Sequence, residues 1–140
     1  MGVDLGLVQL ESMTSPAVQH TLPLLDPRAV GIHHRCRWTG GRSGVHRGFV
    51  VANCNVYNDP AEPYFRSYYL NGDLKKFAGM EGDSGSIVTD EGGAALGHFI
   101  GVDGYSERGL YQSAWVQDAH TALAYASEKL GQIHAVVTLA

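Results

Sequence analysis

One stretch of the 140 residues has the types and spacing for covalent chemistry: Met80-Glu81-Gly82-Asp83-Ser84-Gly85-Ser86-Ile87-Val88. It sets a serine hydroxyl between two glycines. Gly82 and Gly85 permit a tight turn with inward-facing amides, and Ser86-Ile87-Val88 begins a β-prone run that anchors the turn to a sheet. Such a turn can present a nucleophile beside backbone donors. The same composition also describes an ordinary Gly/Asp/Ser turn between two strands, so the rest of the chain has to discriminate.

Other candidate groups are more dispersed. Asp4 heads the alternating run Val3-Asp4-Leu5-Gly6-Leu7-Val8-Gln9-Leu10, where an acidic side chain among apolar neighbours is either exposed by fraying or held for a purpose. Of the seven histidines, His20 falls in a linker, His33 and His34 in an expected strand, His46 after a turn, His98 in a strand, His120 in a helix and His134 in the tail. His33, His34, Cys36, His46 and Cys54 include zinc-ligand types. No Cys-x-x-Cys is present, however, and adjacent histidines on a strand point to opposite faces. They read as strand residues, and neither a metal nor a cofactor is expected. Asp59, Glu62, Asp90, Glu91 and Glu107 read as solvated loop charges.

The elements that must position Ser84 are mostly strands. After the first run, residues 11–28 hold Pro16, Pro23 and Pro27 and read as a linker crossing a surface. Val30-Gly31-Ile32 is expected to start a strand that continues through Trp38 to the turn Thr39-Gly40-Gly41-Arg42-Ser43-Gly44. Val45 to Val56 returns as a long β-rich run, and Tyr64 to Leu70 forms a further strand. Ser86 to Thr89 pairs with Ala95 to Val102, and Leu110 to Val116 leads into a helix from Asp118 to Leu130. That helix carries Ala119, Ala122, Leu123, Ala126 and Leu130 on one stripe, with Gly131 as its stop. Short strands at regular spacing with glycine turns favour a small antiparallel barrel. The expected division is residues 1–29 as an aspartate-bearing strand and linker, and 30–140 as the barrel with its closing helix.

Composition narrows the function classes. With 44% hydrophobic and 17% charged residues the chain suits one globular domain. A formal net charge of −4 with scattered Lys and Arg gives no reason to expect nucleic acid or an anionic membrane as partner. No apolar run approaches the roughly 20 residues of a membrane span, and the N-terminus lacks the regions of a signal peptide. Two cysteines are few for a disulfide-dependent secreted domain. A soluble, cytoplasmic protein with reduced, buried Cys36 and Cys54 is expected, a single bridge between them being the alternative.

The order of the pieces resembles the chymotrypsin-like (trypsin-like) serine peptidases, specifically the second half of that family. Gly82-Asp83-Ser84-Gly85-Ser86 is similar to the family's nucleophile motif, and Asp4 to Leu10 resembles the strand headed by its triad aspartate. Val30 to Gly44 resembles the first hairpin of the C-terminal barrel, and Gly109-Leu110-Tyr111 with a closing helix resembles its end. The resemblance implies an all-β fold: an antiparallel chymotrypsin-like C-terminal β-barrel with a C-terminal helix, the N-terminal barrel being largely absent. It implies a serine endopeptidase acting through an acyl-enzyme on protein or peptide substrates. Ser84 would be the nucleophile, the Gly82 and Ser84 amides the oxyanion hole at about 3 kcal/mol per donor, and Asp4 the partner of a base histidine.

The family's base histidine belongs upstream of the aspartate, and only three residues precede Asp4. None of the seven histidines carries the family's flanking residues. The expectation is a fragment or subunit that takes its histidine from an N-terminal half, or self-associates; the alternative is a catalytically inactive interaction module. By the family's spacing the specificity pocket has Ala78 at its floor, with Phe99, Ile100, Gly101 and Gly109 as walls. An uncharged, open pocket implies an apolar or aromatic side chain before the scissile bond. An α/β-hydrolase elbow would want Gly at position 86 and strand-helix alternation around it, and neither is present.

Overall fold

The computed structural model describes residues 22–56, 65–73 and 76–129. Seven strands and one helix follow a short 3-10 turn at Pro27–Ala29: β1 (Arg35–Gly40), β2 (Gly44–Val56), β3 (Phe65–Gly72), β4 (Gly79–Met80), β5 (Ile87–Asp90), β6 (Ala95–Glu107), β7 (Leu110–Asp118) and α1 (Ala119–Lys129). The strand order is β3-β2-β1-β5-β6-β7-β4, and β3 also pairs with β7. That extra pairing, from Ser67↔Gln117 to Asn71↔Ser113, closes six strands into an antiparallel barrel. The two-residue β4 is added on the free side of β7, with Gly79 opposite Tyr111 and Met80 opposite Leu110.

Alternation makes the barrel's inside. In β1, Cys36, Trp38 and Gly40 are buried while Arg35, Arg37 and Thr39 are exposed, the period of two that a half-buried strand requires. Val50, Tyr68, Leu70, Val88, Phe99 and Val116 meet Trp38 in one apolar cluster. Bulges between Val50 and Ala52 and between Phe99 and Gly101 interrupt the ladders, and such breaks bend strands enough for a small barrel to close.

The structure departs from the sequence expectation at the start of β1, at the end of β6 and in the stretch before Val30. The first strand begins at Arg35, because Gly31 to His34 forms a turn in which His33 takes φ 68° and the His34 N–H donates to the Gly31 carbonyl at 3.2 Å. His33 and His34 therefore precede β1 rather than lie in it. Strand β6 runs on to Glu107, since Arg108 (φ 54°) and Gly109 (φ 80°) make a two-residue turn that keeps it paired with β7. The stretch before Val30 is tied to the sheet, with Leu25 N–H donating to Ala95 O at 2.9 Å and Ala95 N–H to Pro23 O at 2.8 Å. In α1, Ala119, Ala122 and Ala126 are buried as their spacing requires. Asp118 caps the helix, its Oδ2 accepting from the Thr121 N–H at 2.9 Å. Leu130, the strand headed by Asp4, and the remainder of the expected linker lie outside the described residues.

Candidate active site

The turn Glu81–Ser86 hangs between β4 and β5 and is fixed at both ends. At the start, Asp83 N–H donates to Met80 O at 3.2 Å. At the end, Gly85 N–H donates to Phe99 O and Phe99 N–H to Ser86 O, each at 2.8 Å, which binds the turn to β6. The Ser86 hydroxyl donates to Asp83 O at 2.7 Å. Gly82 takes φ 98°, a backbone pose that a residue with a Cβ reaches only under strain. Ser84 is exposed, and its Oγ makes no hydrogen bond to a described residue. The N–H groups of Gly82 and Ser84 likewise donate to no described acceptor. Among the described residues, then, one short turn holds a hydroxyl and two amide donors without partners.

Asp83 is the fixed point of this turn. Its side chain is fully buried. Oδ1 accepts from the N–H groups of Arg42 at 2.9 Å and Ser43 at 3.1 Å, and Oδ2 accepts from the Met80 N–H at 2.9 Å and from the Ser43 hydroxyl. Burial works against the charged carboxylate. The bonds from Ser43, Met80 and Arg42 outweigh it and hold the group below the usual carboxylate range. On the far side of Ser43, His46 places Nε2 2.6 Å from the Ser43 hydroxyl and Nδ1 2.9 Å from Phe77 O. The hairpin turn at positions 41–43 therefore reaches across the barrel end to grip the residue before Ser84.

The expected pocket residues separate into two groups. Ala78 and Phe99 are fully buried in the apolar core; Ala78 O accepts from Trp38 Nε1 at 2.7 Å, and Ala78 N–H donates to Tyr111 O at 2.8 Å. Ile100 and Gly101 are half-buried, and Gly109 is exposed in its hairpin turn. Phe99 is joined to the Ser84 turn through Gly85, and a Cβ on Gly109 would lie 3.6 Å from Met80 Cε. A cleft of about 430 Å³ opens elsewhere, between Phe49, Asn71, Asp73, Phe77 and Tyr105. Asp4 lies outside the described residues.

Sequence reasoning did not find Ser43, His46 or Gly40 as parts of this site. The glycine-rich turn was legible, but its contact with a turn some 40 residues later is set by barrel closure. Among the described residues no three His, Cys, Asp or Glu side chains converge to hold a metal. Cys36 is free and buried.

No family model matches the chain, and no curated protein matches it. Among solved structures it is similar to Rv3671c from M. tuberculosis H37Rv, crystallised in an inactive form as a serine-to-alanine mutant, with a TM-score of 0.58 and 17% identity. The match covers 86% of this chain, which spans only 58% of the length of that one. At that identity the likeness concerns the fold alone, an all-β domain whose six strands close into an antiparallel barrel followed by one helix.

Proposed function

We propose that the chain is the C-terminal part of a serine endopeptidase. The observation that supports this most directly is the Ser84 turn, in which buried Asp83 anchors the backbone while the Ser84 hydroxyl and the Gly82 and Ser84 amides have no partner among the described residues. Ser84 Oγ attacks the peptide carbonyl carbon, its proton passes to an imidazole, and the two amides take the oxyanion. The C–N bond then breaks as the amine leaves with that proton, and water hydrolyses the acyl-enzyme by the same route. The imidazole comes from an N-terminal half that supplies the base histidine, oriented by Asp4. Ala78 brings no charge to the pocket, which favours an apolar or aromatic side chain before the scissile bond. The free Cys36 suits a reducing, cytoplasmic setting, and no helix among the described residues is long and apolar enough to cross a membrane.

A second reading, a peptidase-like module that binds without cleaving, is favoured by one observation: no described histidine hydrogen-bonds Ser84. Fluorophosphonate labelling of Ser84, with and without the upstream half, separates the two. Labelling that appears on adding the upstream half supports the endopeptidase, and none under either condition leaves only the binding module.

A further inference from the structure

Two residue pairs in this chain have the sequence for a backbone rearrangement, and the fold treats them in opposite ways. Asp103-Gly104 is its only Asp-Gly, and Asn71-Gly72 its only Asn-Gly. In either pair the glycine nitrogen can attack the preceding side-chain carbonyl carbon, because glycine brings no Cβ to block the approach. An ionised carboxylate is the poorer electrophile, so in an unfolded chain the Asn-Gly pair reacts first.

The fold reverses that order. Asn71 stands in β3 between two partners, opposite Phe49 of β2 and Ser113 of β7, and its Oδ1 accepts from the Ser113 hydroxyl. Gly72 is buried, and a Cβ on it would lie 2.7 Å from the backbone of Phe77. Rotation of the backbone at that pair waits on the opening of both ladders. Asp103 pairs with Ser113 from the other side, yet its surroundings are open. Asp103 and Gly104 are both exposed. Between the pairs Asp103↔Ser113 and Ser106↔Tyr111, two residues of β6 face one of β7, a bulge that interrupts the ladder. Gly104 takes φ 81° there, and its N–H donates to Asp103 Oδ1 at 2.7 Å. The nitrogen thus rests against an oxygen bonded to Cγ, beside the atom it would attack, and the two reacting groups are already held together.

We propose that Asp103-Gly104 is a site of spontaneous isoaspartate formation in the folded chain, while Asn71-Gly72 is protected. The Gly104 nitrogen bonds to Asp103 Cγ, and its hydrogen leaves with a carboxyl hydroxyl as one water, closing a succinimide ring. Water then adds to one of the two imide carbonyls. Breaking the nitrogen's bond to Cγ restores Asp103. Breaking its bond to the Asp103 backbone carbonyl carbon leaves the chain running through Cβ and Cγ, with the former backbone carbonyl as a free carboxylate. No oxidant or reductant takes part.

The product lengthens β6 by one backbone atom at the bulge. Just beyond it is Tyr105, whose ring stacks on Phe77 at 6.5 Å and 18° beside the cleft of about 430 Å³ that both line. The added atom shifts Tyr105 against Phe77 and reshapes that cleft. None of this depends on the role of Ser84.

The test ages the full chain at neutral pH, in native buffer and in urea, and maps its peptides by electron-transfer mass spectrometry, whose backbone fragments distinguish the two linkages. Methyl transfer from S-adenosylmethionine by an isoaspartate-specific methyltransferase gives a second count. Expected in native buffer is isoaspartate at position 103, with Asn71 keeping its amide mass. In urea, Asn71 converts and overtakes Asp103. Asp103→Glu, an exposed change that would need a larger imide ring, loses the native signal. Asp103→Asn converts faster and shows the amide-to-acid mass change at position 103. A native wild-type chain in which Asn71 converts before Asp103, or in which position 103 forms isoaspartate only in urea, overturns the proposal without recourse to any variant.

Discussion

The carboxylate of Asp83 occupies the space that a side chain on Gly40 would need: a Cβ there would lie 2.6 Å from Oδ2 and 2.5 Å from Oδ1. Gly40 is the last residue of β1 and pairs with Gly44 across the hairpin, so neither backbone can retreat without breaking the ladder. Gly40→Ala is expected to push Asp83 out of its seat. Lost hydrogen bonds to a buried carboxylate cost roughly 1.5–3 kcal/mol each, and a destabilisation of about 3 kcal/mol should appear in urea unfolding. Ser84 labelling in the presence of the upstream half should fall with it. An alanine variant that labels normally would separate Asp83 from the geometry of Ser84.

Gly82 and Gly85 make a matched pair, since both have positive φ, 98° and 91°, but differ in their surroundings. A Cβ at Gly85 meets nothing within 4 Å, whereas one at Gly82 collides with Cδ of Arg42. Gly85→Ala should cost only backbone strain, about 1–2 kcal/mol. Gly82→Ala should cost more and displace Arg42 from Glu81 O. Removing the long side chain in Arg42→Ala should return Gly82→Ala to the Gly85→Ala level, a coupling that a double-mutant cycle reads directly.

Some of this was legible in the sequence and some was not, for physical reasons. The period-two burial of Cys36 and Trp38, the glycine turn after Trp38 and the alanine face of α1 are local patterns, and the sequence shows them. The barrel's closure by β3 against β7 and the two-residue β4 follow from contacts distant in sequence, which periodicity does not carry. The resemblance put Ala78 at the floor and Phe99 in the wall of a pocket; the burial of both side chains in the core depends on barrel closure, which residue order does not carry. The hydrogen bond from the Ser43 hydroxyl to Asp83 spans 40 positions, and no local residue pattern announces it.

Acid should weaken the site before the barrel. Asp83 is held below the ordinary carboxylate value of 3.8, burial opposing and the hydrogen bonds from Ser43, Met80 and Arg42 prevailing. A depressed carboxylate contributes stability that is present above its unfolded value and lost as pH falls through its folded one. Asp73, held low by its hydrogen bonds from Arg35, acts in the same direction at the surface. Lowering pH from about 6 to about 2 should therefore reduce stability progressively below the ordinary carboxylate value. The amides of Met80, Arg42 and Ser43 should lose hydrogen-exchange protection first. Loss of protection in the β2–β3 ladder ahead of those three amides would contradict this order.

Cys36 should be chemically silent in the folded chain. Burial, with the nearby Asp90 carboxylate adding to it, pushes the thiol up to about 12, and its Sγ donates to His34 O at 3.4 Å. Because the thiolate is the reactive form, alkylation at mildly basic pH should modify Cys36 only at the rate at which the barrel opens. Peptide mass spectrometry after timed iodoacetamide treatment checks this: slow modification that accelerates with urea is expected, and immediate modification in native buffer is the contrary outcome.

Asp118 joins the barrel to its helix. It is 1% exposed, its Oδ2 accepts from Thr121 N–H at 2.9 Å and from Thr121 Oγ1 at 2.8 Å, and its Oδ1 accepts from the Tyr68 hydroxyl at 3.2 Å. Asp118→Ala removes a helix cap, worth about 1 kcal/mol, together with the bonds to Thr121 and Tyr68. A total loss of about 2–4 kcal/mol is expected. Asp118→Asn keeps one carbonyl oxygen for the Thr121 N–H, and its amide group can donate to the Tyr68 oxygen, so it should recover at least half of that loss. Urea midpoints for the two variants read the difference, and equal midpoints would mean that the cap contributes nothing beyond the charge.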